Sequence, residues 1–69
     1  YRTQRLQSAR QLLVAKLREE VDELIEAFES GTLQNVAEKS ADVLYPLSIM
    51  NSVRGTSVRS ALDIFATDR

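Results

Sequence analysis

The sequence predicts an all-α fold, a helical hairpin followed by a short third helix. Three observations carry this reading. Only two glycines and one proline punctuate 69 residues, so the chain has few places to break a helix. Apolar residues recur at spacings of three, four or seven, the period of an amphipathic helix. The glycines, in Ser30-Gly31 and at Gly55, fall between such stretches and not inside them.

The first stripe runs through Leu6, Ala9, Leu13, Leu17, Leu24 and Phe28 and is widened by Leu12, Val21 and Ile25. It predicts a helix over residues 3–29, stopped by Ser30-Gly31, with Gly31 in the left-handed conformation that ends helices. Thr32 is the expected N-cap of a second helix over 33–54, with Leu33, Val36, Ala37, Val43, Leu44, Leu47 and Met50 as its apolar positions and Gly55 as its stop. Pro46 lies inside this helix, where it removes one hydrogen bond and crowds the carbonyl four residues back, so a kink is expected, with a complete break as the alternative. Thr56 or Ser57 caps a third helix over 58–67, striped by Val58, Ala61, Leu62 and Phe65. No repeat, linker or low-complexity tract interrupts this, and residues 1–69 read as one domain.

Composition narrows the function. A hydrophobic fraction of 43% with 28% charged residues is that of a globular chain. A net charge of −1 and a pI near 5.3 exclude the basic surface expected of a nucleic-acid binder. No apolar run approaches the ~20 residues of a membrane span. Arg2, Arg5 and Arg10 are followed by no apolar signal segment, and the chain opens on Tyr1, as expected of a trimmed chain or a piece of a longer one. A cytoplasmic location is the expectation. The absence of Cys and His removes disulfides, thiolate zinc sites and imidazole bases. A lone chain of this size buries only about 60% of its extended surface. Two hairpins pairing into a four-helix-bundle-type oligomer would bury the rest, so a homodimer or higher oligomer is expected.

The acids are distributed unevenly. Glu19, Glu20, Asp22, Glu23, Glu26 and Glu29, six of the ten, lie within eleven residues late in the first helix. There they oppose the helix dipole, and the like-charged neighbours at three- and four-residue spacing cost a few tenths of a kcal/mol each. A solvated acidic face, supported by the i,i+4 pairs Lys16–Glu20 and Arg18–Asp22, is one account. The other is a divalent-cation site, because oxygen-only ligands one helical turn apart suit Mg²⁺. Asp42, flanked by Ala41 and Val43 on the second helix, favours the cation, because a covered carboxylate needs a cation or strong donors; an Asp satisfied in a polar network is the other account. With about ten residues on each side of the turn, an antiparallel hairpin brings Asp42 opposite Glu20 and Glu23.

The strings LREEVDELIEA (17–27) and AEKSADVLYPL (37–47) resemble the paired signature of the all-α, MazG-like nucleoside-triphosphate pyrophosphohydrolases. That signature is E-E-x-x-E on one helix and E-x-x-D on the next. Within the superfamily the chain is most similar to phosphoribosyl-ATP pyrophosphatases of histidine biosynthesis. Tyr1 with Leu6, Lys16 ahead of the glutamate pair, Asp42-Val43-Leu44-Tyr45 and Arg54-Gly55-Thr56-Ser57 carry that likeness through nearly the whole chain. The resemblance implies Mg²⁺-dependent hydrolysis of an α–β phosphoanhydride in a nucleotide substrate by an oligomer of hairpins. It implies Glu20, Glu23 and Asp42 as metal ligands, and Glu19 as a ligand or as the group orienting the attacking water. Two positions depart from it. Lys39 stands at the E of E-x-x-D, which leaves Glu38, four before Asp42, as the substitute ligand, and Pro46 stands where the family commonly has His. A MazG-like enzyme clearing unwanted nucleotides and a non-catalytic oligomerisation module are the competing functions. Arg5, Lys16, Arg54 and Arg59 are candidates to meet phosphates, or solvated side chains.

Overall fold

Three helices follow one another in the computed structural model, which describes the backbone of residues 2–68 and side chains from residue 8. They are α1 (Arg2–Ser30), α2 (Leu33–Val53) and α3 (Val58–Thr67), with no strand among the described residues. The side chains of Tyr1, Arg5 and Leu6, named above for the stripe, the family likeness or phosphate contact, lie outside the described residues. The all-α expectation holds, and each helix boundary falls within a residue of its expected place.

The junctions show why the chain turns where it does. α1 closes with the Gly31 N–H donating to the Ala27 carbonyl at 2.7 Å. Gly31 is not left-handed, contrary to expectation, since the sole positive-φ residue described is Gly55, at +83°. The requirement at Gly31 is space: a Cβ there would stand 2.7 Å from the Ala27 carbonyl oxygen. Thr32 then opens α2 from an extended backbone, its Oγ1 accepting from the Asn35 N–H at 3.1 Å. α2 ends in a Schellman motif, in which Thr56 N–H donates to Asn51 O at 2.9 Å and Gly55 N–H to Ser52 O at 3.0 Å. Of the two capping candidates for α3, Ser57 takes the role, accepting from Ser60 N–H at 3.1 Å. Pro46 does not break α2, which runs through it, and its ring is fully buried.

The helices lie in a single layer. The molecule measures 45 × 30 × 14 Å, and its shortest dimension is little more than the ~10–12 Å diameter of one helix. Its radius of gyration is 14.5 Å, against about 11 Å for a compact domain of this length. α1 packs along α2, and α3 touches only the end of α2. Neighbours in one layer cover only the facing edge of each helix, so the broad apolar stripes stay open. Leu13, Leu17, Leu24, Val36, Val43, Leu47 and Met50 are half-buried in the seam. Leu12, Phe28 and Leu44 remain exposed, as does Leu33, at 92%. Among the described residues only Glu20, Ala27 and Pro46 are buried.

Candidate metal centre

The acidic site is built first from helical spacing. Residues 19, 20 and 23 fall on one turn of α1, so their side chains leave the helix side by side. Glu19, Glu20 and Glu23 each present a carboxylate oxygen, and the three oxygens lie within 4.8 Å of one another. Their environments differ. Glu19 is exposed, Glu23 is half-buried, and Glu20 is 6% exposed. Buried carboxylates need a partner, and Glu20 has one: Lys16 Nζ lies 2.7 Å from its Oε1. The hydrogen bond to Glu20, with the charges of Glu20, Glu19 and Glu23 behind it, holds the Lys16 ammonium above its ordinary range despite some desolvation.

The facing helix contributes a cation. Lys39 Nζ hydrogen-bonds Glu23 Oε1 at 3.1 Å and stands 3.9 Å from Asp42 Oδ2. The bond to Glu23 is the main reason its ammonium, too, titrates above the ordinary range, and the charges of Glu23, Asp42 and Glu20 add to it against a desolvation penalty. Asp42 was expected under cover, but its side chain is 51% exposed. Its apolar neighbours reflect the width of the α2 stripe, and one layer of helices does not reach over it. Asp42 therefore meets the α1 acids through Lys39 and does not join the three-oxygen group. Glu38 also stands apart, exposed and accepting from Gln34 Nε2 at 3.2 Å.

Glu38 lines a groove of about 520 Å³ at the closed end of the hairpin, together with Glu23, Glu26, Ser30, Asn35 and Lys39. Ser30 and Asn35 belong to no motif of the sequence. Their places flanking the turn were the clue, since residues at matching distances from a tight hairpin turn face each other. Arg54 and Arg59 are exposed at the far end of α2 and on α3.

The donor set suits a hard divalent cation. It consists of carboxylate oxygens alone, three of them already converged on one turn. Two lysine ammoniums neutralise part of its charge.

The model of the phosphoribosyl-ATP pyrophosphohydrolase family matches residues 1–69. No curated protein and no solved structure matches the chain.

Proposed function

Because the chain belongs to the phosphoribosyl-ATP pyrophosphohydrolase family, we propose that it hydrolyses the α–β phosphoanhydride of phosphoribosyl-ATP with Mg²⁺, giving phosphoribosyl-AMP and pyrophosphate. The observation that carries this reading is the convergence of Glu19, Glu20 and Glu23 within 4.8 Å. Glu20 and Glu23 hold the ion, with Asp42 and Glu38 as the ligands that α2 offers. Bound Mg²⁺ supplies neutralisation of the phosphates and a lower pKa for water at the site. Glu19, the exposed member of the group, orients the attacking water and takes its proton on a carboxylate oxygen. Burial separates these roles: Glu20 is fixed by Lys16, while Glu19 is free to meet solvent.

The active form in this proposal is a homo-oligomer, in which a second hairpin lies over the open face of the first and covers Asp42. The one-layer shape and the exposed Leu12, Phe28, Leu33 and Leu44 support it. Sedimentation at micromolar concentration is expected to give a dimer or larger, and a cooperatively folding monomer would refute it. A cytoplasmic location fits a biosynthetic enzyme, and no described helix is long and apolar enough to cross a membrane.

The deciding experiment measures pyrophosphate release with Mg²⁺ from phosphoribosyl-ATP beside a panel of ordinary nucleoside triphosphates. Release from phosphoribosyl-ATP alone is expected. Release from the panel selects the MazG-like activity. One observation favours a second reading: the ammonium already seated on Glu23 suits a non-catalytic oligomerisation module, which would release nothing from any substrate.

A further inference from the structure

Three ion pairs are formed by the described side chains, and they do different things. Lys16–Glu20 lies within α1 and Lys39–Asp42 within α2. Only Lys39–Glu23 crosses from one helix to the other. It does so at a carboxylate that also contributes an oxygen to the three-glutamate group.

We propose that the Lys39 ammonium is the resident counter-cation of this site, and that a divalent ion enters by displacing it. The hairpin then holds either its own ammonium or the metal against Glu23, never both. Three features support the exchange. An ion binding Glu23 at the ~2.1 Å typical of Mg²⁺ would stand close to an ammonium bonded 3.1 Å from Oε1, and two cations there repel. Lys39 is a third exposed at its side chain, so it has room to leave. It also has somewhere to go, because Asp42 lies one turn along its own helix at 3.9 Å, and Glu38 is then the ligand that α2 offers the ion. The released ammonium keeps a carboxylate partner without crossing to α1. Metal entry is therefore coupled to loss of the one ionic tether between α1 and α2 among the described residues, and metal affinity is set below what the glutamates alone would provide.

The inference rests on the reading that these glutamates take Mg²⁺, and its test is kept separate from catalysis. Calorimetric titration of the full chain with MgCl₂ at fixed ionic strength compares wild type, Lys39→Met and Lys39→Arg. Lys39→Met is expected to bind Mg²⁺ about tenfold more tightly, within the range usual for two coupled binding events. Lys39→Arg keeps the charge and is expected to stay near wild type. In wild-type protein with ¹³C-labelled lysine, the Lys39 Cε resonance should move as Mg²⁺ saturates, which serves if Lys39→Met does not fold. Equal affinity in wild type and Lys39→Met, tightening in Lys39→Arg as well, no binding in any of the three, or a stationary Lys39 resonance at saturation each overturns the exchange. Pyrophosphate release measured in parallel tells the two readings apart. Mg²⁺-dependent release with unaltered affinity in Lys39→Met sinks the exchange and leaves the hydrolase. Tightening without release from any variant does the reverse.

Discussion

On α1, three glutamates from a single helical turn bring their oxygens within 4.8 Å of one another, and one of them is buried. On α2, Glu38 and Asp42 stay exposed and apart, and the side chain that reaches across from between them is a lysine. The contrast separates two ways of gathering charge. Convergence within one helix follows from backbone geometry and survives whatever the rest of the molecule does. Convergence between helices depends on what covers the seam, and a single layer leaves the α2 side open to water.

If α1 is the anchored half, the same kind of change should cost far more there than on α2. Glu23→Gln is expected to lower Mg²⁺-dependent pyrophosphate release on the order of a hundredfold or more, and Asp42→Asn by about tenfold or less. Steady-state assays of both variants check this, and equal losses would mean that α2 contributes as a full partner. A next, smaller effect is thermal. Mg²⁺ at about a hundredfold above its Kd stabilises a binding-competent fold by roughly 2.7 kcal/mol, so scanning calorimetry should show a raised Tm that Glu23→Gln abolishes.

The lysines sharpen the comparison further. Lys16→Met leaves Glu20, buried to 8% exposure at its side chain, without its cation, and a buried acceptor stripped of its partner is destabilising. The expected fall in Tm is a few degrees, and larger than that of Lys39→Met, whose partner Glu23 is 37% exposed. Melting curves of the two variants without Mg²⁺ settle the order. The smallest effect is on pH. Both ammoniums are held above their ordinary value of 10.5 by the carboxylates they touch. Their stabilisation is fully present below that value and is lost as pH rises through the raised ones. Tm should not respond to these groups between pH 7 and 9, and should drop above about 10.5. The double variant Lys16→Met with Lys39→Met should drop less.

The helices and their ends were legible because each is written locally. Thr32, Ser57 and Gly55 act through bonds within four residues of themselves. Gly31 misled for a related reason: glycine signals handedness and close approach with the same letter, and here only the approach matters. Pro46 left a complete break of α2 open, and the helix continues through it with the ring buried. The α1 glutamates were readable from spacing alone. Asp42 was not, because apolar flanks tell how wide a stripe is and not what lies over it. Lys39 was visible as an oddity of the motif, but its reach to Glu23 needed the pairing of α1 with α2.

The elbow between α2 and α3 has a consequence for assembly. The Schellman bonds at Asn51 and Ser52 and the Ser57 cap aim α3 by local chemistry, although the helix itself buries no residue. Leu62, on the apolar stripe of α3, is thus held out in a set direction. A surface that is already oriented loses little further freedom when it is covered. Whatever packs on α3 meets a helix whose direction the turn has already set, so less of the ordering of that face falls to association.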